Sequence, residues 1–317
     1  ANNFASKAFI KAVVAQRSIK SREEVEQIET ALELTSAMHA LAMKMSRAGM
    51  LEQEVVAAMA GLAEAHGIGA SYPSIFSVDG QILHNPRHEN IMQQGDIIIN
   101  DSGAESRMHY ASDITRTFPV DGKFTQKQTE IYTVLLNAQL KAIAAVMPGI
   151  EYRDVHTMAC SQIAAGLNSL GLMKGDVSEA VAAGAHALFM PHGLGHMIGL
   201  DVHDMEGLGE DDVGYTDTIR RSHQFGTSHL RLARALEPGF VVTVEPGIYF
   251  IPALIDQWQA QGKFENFIDY KKIENYRDFG GVRIEDNVLV HDNGQRVLGK
   301  PIAKTVAEVE ALSSQIL

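Results

Sequence analysis

The sequence has 317 residues, of which 45% are hydrophobic and 21% are charged, a composition typical of globular proteins. Its 39 acidic residues outnumber the 27 basic residues, and the net charge of −12 argues against a nucleic-acid-binding surface. Cys160 is the only cysteine, which excludes an intrachain disulfide and predicts a reducing, cytoplasmic location, and no apolar run is long enough to predict a membrane span.

The first elements along the chain are predicted to be helices, followed by a pair of strands. Apolar side chains recur at helical spacing over residues 21–66, with an interruption at Gly49 and a second helix beginning at Glu52. The apolar run at residues 97–99 is typical of a buried strand, and residues 112–120 are predicted to be its partner.

The remaining elements are predicted to be two long helices and then two more strands. Amphipathic spacing predicts helices over residues 126–147 and 152–170. Residues 241–250 and 282–290 are rich in β-branched side chains, which favour strands. The polar and aromatic segment between them, residues 252–279, is predicted to be a loop or a short-helix insertion.

Each of three predicted strands combines an apolar face with a face that carries a carboxylate. Because side chains alternate along a strand, Thr243 shares a face with Glu245, Arg283 shares one with Glu285, and Asp113 lies with the threonines that follow it. Any one strand alone could simply present a solvated face. That alternative weakens because four acidic residues fall in apolar contexts beside Gly or Pro: Asp101, Asp113, Glu245 and Glu285.

Three histidines, His192, His196 and His203, are spaced by four and seven residues with glycines between the first two. Glycines let the backbone come close to a bound group. For these three rings, a role in metal binding or catalysis is therefore as well supported by the spacing as a structural role. One histidine with four carboxylates suits two bridged divalent cations better than one structural zinc. Other histidines are expected to be structural in helices (His39 and His66) or to lie on the surface or in loops (His186, His223 and His229).

From about residue 20 to residue 300, the chain resembles the creatinase/methionine aminopeptidase-type metallopeptidases, in particular their proline-peptidase branch of Xaa-Pro aminopeptidases and prolidases. The motifs that carry the resemblance occur in family order: DSGAE, SDITRTFPV, HGLGHMIGLDVHD, EPGFVVTVEPGIYF and GGVRIEDNVLV. The resemblance implies an α+β pita-bread fold, in which helices cover a curved antiparallel sheet. It also implies that residues 1–317 form a single catalytic domain, with residues 1–20 as an extension. The separate domain that usually precedes it is expected to be absent, either in nature or because the chain is a fragment.

The resemblance also implies a role for each candidate residue. The ligands of two divalent cations are expected to be Asp101, Asp113, His196, Glu245 and Glu285. Catalytic roles are expected for His84, His192, His203, Glu245 and Arg283, and substrate contacts for Tyr72, Arg231 and Tyr249. Many proline peptidases have His-Tyr where this chain has His84 and Asn85, so the pocket is expected to differ there. Arg231 would pair with the free carboxylate of a dipeptide, although a solvated loop arginine is the alternative and Arg234 lies nearby.

The predicted function is hydrolysis of Xaa-Pro peptide bonds, by a dipeptidase or an aminopeptidase, using a hydroxide that bridges the cations. Carboxylate-rich ligation favours Mn²⁺, with Zn²⁺, Co²⁺ and Fe²⁺ as alternatives. The expected partner is a peptide with proline at its second position, and the chain is expected to act as a homodimer without nucleic acid or membrane. The alternatives are a methionine aminopeptidase-like peptidase, a creatinase-like enzyme, and an inactive family member that serves as a binding module.

Overall fold

The computed structural model describes residues 6–315, which form ten α-helices and eight β-strands. The helices are α1 (Lys7–Ser18), α2 (Arg22–Met45), α3 (Glu52–His66), α4 (Gln126–Ala145), α5 (Tyr152–Ser169), α6 (Val177–Ala183), α7 (Glu210–Gly214), α8 (Pro252–Ala260), α9 (Tyr270–Ile273) and α10 (Val306–Ser313). The strands are β1 (Ile75–Ser77), β2 (Ile97–Asp101), β3 (Thr115–Pro119), β4 (Val241–Val244), β5 (Gly247–Tyr249), β6 (Gly281–Arg283), β7 (Asp286–His291) and β8 (Gly294–Val297). Helices and antiparallel strands are therefore mixed along the chain, as the α+β prediction requires.

The strands form three small antiparallel sheets, in the orders β1-β2-β3, β4-β7-β8 and β5-β6. The register of the first places Asp101 opposite Thr115, and that of the third places Gly247 opposite Arg283. Hydrogen bonds join the first and third sheets, because the Thr117 hydroxyl donates to the Arg283 carbonyl and accepts from its amide. These hydrogen bonds thus join β3 to β6, two strands that are far apart in sequence.

Long helices cover the strands and supply most of the core. α4 packs against α5 and also against β4, β5, β6 and β8, while α10 packs against α2, α4 and β3. The start of α2 is a capping box between Ser21 and Glu24, which satisfies two backbone amides that have no partner within the helix. None of the helices in residues 6–315 is long and apolar enough to cross a membrane.

Two predicted strands are interrupted, and this interruption matters for the site. The strand predicted over residues 241–250 ends at Val244 and restarts at Gly247, because Pro246 has no amide hydrogen to continue the ladder. The strand predicted over residues 282–290 likewise divides after Arg283. The strand predicted to begin at residue 112 begins at Thr115, so Asp113 precedes it. The segment 252–279 contains α8 and α9, which confirms the short-helix insertion.

Among the histidines outside the motifs, some lie where the sequence predicts and one does not. His39 is buried in α2 and bonds the Ser102 carbonyl through its ring, as a structural histidine should. His223 and His229 are exposed. The prediction that His186 lies on the surface or in a loop is wrong: it lies in a buried 3₁₀ turn, Ala185–Leu188, after a left-handed Gly184.

Candidate metal centre and active site

The five candidate metal ligands meet at the floor of one cavity of about 1030 Å³. Asp101 ends β2, Asp113 precedes β3, and the two glutamates, Glu245 and Glu285, occupy the breaks between successive strands. Because each glutamate lies in a strand break, its side chain does not have to follow the alternation of a sheet. The backbone of Glu285 is fixed in its break by a hydrogen bond from its amide to the Thr115 carbonyl at 3.0 Å. Four distant segments therefore contribute carboxylates to the same point.

His196 places its Nε2 among the carboxylates. Nε2 lies 3.3 Å from Oδ2 of Asp113 and 3.5 Å from Oε1 of Glu245. The other ring nitrogen, Nδ1, lies 2.9 Å from the Met197 carbonyl oxygen, and its hydrogen bond to that oxygen places the lone pair of the neutral imidazole on Nε2. The backbone amide of His196 also donates to the Thr243 hydroxyl at 3.0 Å, and this hydrogen bond joins the loop that contains His196 to β4.

Two further side chains orient the aspartates. The hydroxyl of Tyr72 contacts Oδ1 of Asp101 at 2.6 Å and also contacts Oδ1 of Asp113. Nη2 of Arg283 donates to Oδ2 of Asp101 at 2.7 Å, and its Nη1 donates to the hydroxyl of Tyr249 at 2.9 Å. Both oxygens of Asp101 are thus fixed by donors before any ligand binds.

Crowding of these groups shifts their pKa values in ways that a bound cation would relieve. Burial, together with Asp113, raises the pKa of Asp101 to about 6 and that of Glu245 to about 7, against the opposing effects of Arg283 and His196 respectively. Burial and the neighbouring carboxylates raise the pKa of Glu285 well above its ordinary value. Burial opposes ionisation of Asp113 and protonation of His196, yet their contact lowers the pKa of the first and raises that of the second to about 9.

Glu285 gives the test of whether cations fit. Its Oε2 accepts a hydrogen bond from the Thr115 hydroxyl at 2.7 Å, but its buried Oε1 has no partner among residues 6–315. A buried oxygen without a partner costs free energy unless something absent from the protein binds it. Ligand atoms of Asp113, His196 and Glu285 also lie within 4.8 Å of one another. Oxygen-rich donors at this spacing fit divalent cations.

The candidate catalytic histidines surround this floor at different depths. Nε2 of His192 lies 3.0 Å from the Tyr249 hydroxyl, while Nδ1 lies 2.7 Å from the Gly193 carbonyl. Burial, and then Arg283, lowers the pKa of His192 to about 3, so its imidazole is neutral. The ring of His203 packs edge-on against His196 with 4.5 Å between ring centroids.

The outer wall of the cavity holds the remaining candidates. His84 and Arg231 line it, and burial together with Arg283 and Arg231 lowers the pKa of His84. Nη1 of Arg231 is paired with Glu206, so the expected carboxylate receptor already has an acidic neighbour. Tyr249 is fully buried, and its hydroxyl contacts Nε2 of His192 and Nη1 of Arg283.

Sequence reasoning missed several side chains that hold the ligands in place. The side chain of Asn287 fixes the backbone of Asp113 through two hydrogen bonds. Its Nδ2 donates to the Asp113 carbonyl at 2.6 Å, and its Oδ1 accepts from the Asp113 amide at 3.2 Å. Thr115 and Thr243 donate to Glu285 and Glu245. The strand alternation that placed Thr243 with Glu245 was a signal for the second contact, whereas nothing in the local sequence marks Asn287 or Glu206.

Comparison with known proteins identifies clear relatives. The sequence model of metallopeptidase family M24 matches residues 26–292. The chain is 35% identical to a Homo sapiens Xaa-Pro dipeptidase over 308 residues, covering 94% of this chain and 60% of that protein. It is 36% identical to an Escherichia coli K12 Xaa-Pro aminopeptidase over 301 residues, covering 93% and 59% of the two chains. The chain therefore spans about three fifths of the length of these relatives.

Solved structures give the same result for the fold. A substituted E. coli aminopeptidase P in complex with substrate superposes with a TM-score of 0.78 at 35% identity, covering 96% of this chain and 61% of that one. A Zn-substituted E. coli aminopeptidase P in complex with product superposes with a TM-score of 0.77 at 34% identity and the same coverage. These neighbours confirm the predicted α+β pita-bread fold.

Proposed function

Because the chain belongs to metallopeptidase family M24, we propose that it hydrolyses Xaa-Pro peptide bonds with the help of two divalent cations. One observation carries the proposal: Asp113, His196 and Glu285 converge on the floor of a large cavity, where the Glu285 oxygen has no partner among residues 6–315. None of the five expected ligands is missing from this floor. An inactive binding module would have no need to keep such a costly cluster of carboxylates.

The cations would be held by the five candidate ligands, with Mn²⁺ favoured by the four carboxylates and Zn²⁺, Co²⁺ or Fe²⁺ as alternatives. Bound there, they supply Lewis acidity and lower the pKa of water toward neutrality. Asp113 and Glu285 are proposed to be the shared ligands, since each lies close to His196. The contacts of Tyr72 and Arg283 with Asp101 support this arrangement, because partners of a ligand fix its orientation.

The protein's own side chains would move the proton and stabilise developing charge. Glu245 lines the cavity beside the other candidate ligands and is proposed to accept a proton and release it to the leaving nitrogen. His203 lines the cavity, where its N–H group would donate to the carbonyl oxygen as it gains negative charge. His192 also lines the cavity, but its one N–H, on Nδ1, donates to the Gly193 carbonyl, so His192 is proposed to contact the substrate without supplying that hydrogen bond. His84, which also lines the cavity, is proposed to contact the substrate.

The length of the substrate is proposed to depend on Arg231. A guanidinium holds a carboxylate through two parallel hydrogen bonds, so Arg231 would favour dipeptides by binding their free carboxylate. The human relative is named a dipeptidase and the bacterial relative an aminopeptidase, at nearly equal identity to this chain. The residues of the cavity, and not overall identity, must therefore decide between short and long substrates.

The organisation of the chain completes the proposal. We propose a single catalytic domain over residues 1–317, and we also propose that it forms a homodimer. The proposal of a single domain is supported by contacts between segments far apart in the chain. Tyr72 and Arg283 contact the same aspartate although they are separated by more than half of the chain. The lone Cys160 supports a cytoplasmic location.

The proposal is tested by peptide hydrolysis on protein that has been stripped with a chelator and reloaded with one metal at a time. Cleavage of Ala-Pro and of Ala-Pro-Ala-Ala is expected to require about two divalent ions per chain, measured by elemental analysis on the same sample. Ala-Ala and Met-Ala-Ala serve as matched peptides without proline. Equal or faster cleavage of Met-Ala-Ala would instead identify a methionine aminopeptidase-like enzyme, and no cleavage by the reloaded protein would contradict peptidase activity.

A further inference from the structure

A second cluster of metal-ligating side chains lies outside the cavity, in the helical layer. His156 and Cys160 are one turn apart on α5, so they share a helix face, and the turn after Gly184 brings His186 against them. The exposed fractions of the three side chains are 2%, 1% and 2%. One ligand atom from each lies within 4.8 Å of the other two. A sulfur and two imidazoles therefore face one another in the core.

The hydrogen bonds of this cluster are incomplete. Neither ring nitrogen of His186 makes a well-formed hydrogen bond among residues 6–315, although both are buried and the Val181 carbonyl lies near the ring. In the described part of the chain, the only hydrogen-bond partner of the His156 ring is the thiol of Cys160, at 3.6 Å from Nε2 and 3.9 Å from Nδ1. Buried polar groups in proteins are nearly always paired, so an imidazole whose nitrogens have no well-formed hydrogen bond calls for a ligand.

The spacing and protonation of these groups suit an ion. With bonds of about 2.3 Å to sulfur and about 2.0 Å to nitrogen, a sulfur and a nitrogen that bind one ion lie about 3.5–3.7 Å apart. The Sγ to Nε2 distance of 3.6 Å falls in that range. Burial lowers the pKa of His156 to about 3 and that of His186 to about 4, so both imidazoles keep their lone pairs. Burial raises the pKa of Cys160 to about 12, so the thiol loses its proton only to a cation.

We propose that His156, Cys160 and His186 form a buried site for one soft monovalent cation, Cu(I). Thiolate sulfur selects soft ions, and imidazole binds copper well. The thiol releases its proton to solvent as the Cu–S bond forms, so a thiolate, two neutral imidazoles and Cu⁺ carry no net charge. A divalent ion would leave one positive charge in the core, where an uncompensated charge is costly. The site is independent of the proposed peptidase activity.

The test uses the whole chain under anaerobic, reducing conditions, with Cu(I) titrated against a chromophoric Cu(I) chelator. One Cu(I) per chain is expected to be retained. Cys160→Ala and His186→Phe are expected to weaken binding by at least about 100-fold. Loss of a residue that only contacts a ligand weakens metal binding by up to about 100-fold, and loss of a direct ligand should cost at least as much. His223→Phe, which changes an exposed histidine, and Asp113→Asn, which weakens the other centre, are expected to retain it.

A measurement on the unsubstituted protein keeps the test open if the variants fail to fold. Copper-edge X-ray absorption is expected to show one sulfur and two nitrogens around the ion. The proposal is overturned if the chain retains no Cu(I), or if folded Cys160→Ala binds it as tightly as the parent. A thiolate-to-Co²⁺ charge-transfer band without Cu(I) uptake would overturn the choice of a monovalent ion.

Discussion

Nη2 of Arg283 donates a 2.7 Å hydrogen bond to Oδ2 of Asp101, and both side chains are buried. The arginine thereby fixes one carboxylate of the proposed metal centre from behind, while its other arm holds the Tyr249 hydroxyl that faces His192. One guanidinium thus couples the orientation of a metal ligand to the orientation of a candidate catalytic histidine.

Replacement of Arg283 by glutamine is expected to weaken metal binding by about 10–100-fold, because outer partners of metal ligands typically contribute that much. Affinity is measured by competition with a chelator of known strength. Arg296→Gln is the matched control, since Arg296 pairs with Glu29 on the surface. Unchanged affinity in Arg283→Gln would show that Asp101 does not depend on this ion pair.

Replacement of Glu285 by alanine is expected to remove at least one of the two ions and nearly all activity. The substitution deletes the buried oxygen that has no partner among residues 6–315, together with the one that accepts from Thr115. Elemental analysis after dialysis measures the ion content. Full metal content in the folded variant would refute the assignment of Glu285 as a ligand.

The five candidate ligands could be named from the sequence because each lies in a family motif with apolar residues, glycine or proline nearby, and the structure brings all five to one cavity. Alternation along β4 placed Thr243 and Glu245 together, and the 3.1 Å contact between their side chains confirms that pairing. What alternation could not show was the end of each strand. Glu245 and Glu285 lie in strand breaks, which depend on hydrogen bonds to distant segments such as Thr115.

Contacts between segments far apart in sequence were beyond prediction for the same reason. The hydroxyl of Tyr72 joins Asp101 and Asp113 only because β2 and β3 pair in one particular register. His186 is surrounded in sequence by alanines that favour no single burial state, and its position follows from the left-handed turn at Gly184. Long-range packing, not local propensity, determines these positions.

Replacement of His203 by alanine is expected to leave the metal content unchanged and lower kcat by about 10²–10³, the usual cost of losing one oxyanion donor. The ring packs on His196 but makes no hydrogen bond to a carboxylate ligand in the part of the chain described, so its loss should spare the ligands. His223→Ala is the control. A folded His203→Ala protein with the parent kcat, or one that purifies without metal, would contradict this role.

Stability in acid is expected to depend on Asp286, which binds Arg116 and Lys304 in the core. Burial would raise the pKa of Asp286, but these cations lower it from 3.8 to about 2. A lowered carboxyl pKa stabilises the folded state above pH 4, and this stabilisation is lost as the pH falls toward 2. The loss amounts to about 2–3 kcal/mol.

The measurement is urea unfolding of chelated protein between pH 2 and pH 5, comparing the parent with Asp286→Asn. The variant is expected to lose this pH dependence and to be less stable at neutral pH by about 3–5 kcal/mol, because the buried Arg116 and the partly buried Lys304 lose their partner. Asp256→Asn removes an exposed pair with Arg277 and is expected to behave like the parent. Equal pH dependence in the parent and Asp286→Asn would contradict the assignment.

The preference for short substrates is expected to be set by competition at Arg231. Its Nη1 contacts Glu206 and lies 3.8 Å from Oε2 of Glu210, so the free carboxylate of a dipeptide must share the guanidinium with acidic neighbours. A hydrogen bond to a charged group contributes about 1.5–3 kcal/mol. Arg231→Ala is therefore expected to raise KM for Ala-Pro about ten-fold to a hundred-fold, with little change for Ala-Pro-Ala-Ala.

The carboxylate of Glu206 competes with the substrate for Arg231, so its removal is expected to have the opposite effect on KM. Glu206→Gln removes the negative charge that shields Arg231, so KM for Ala-Pro is expected to fall while KM for the longer peptide stays constant. Arg234→Ala is the matched control, because Arg234 pairs with Glu237 and does not line the cavity. Initial rates over a range of peptide concentrations separate KM from kcat. Efficient cleavage of long Xaa-Pro peptides, with neither KM altered in Arg231→Ala, would instead identify an aminopeptidase whose cavity does not bind the carboxyl terminus of its substrate.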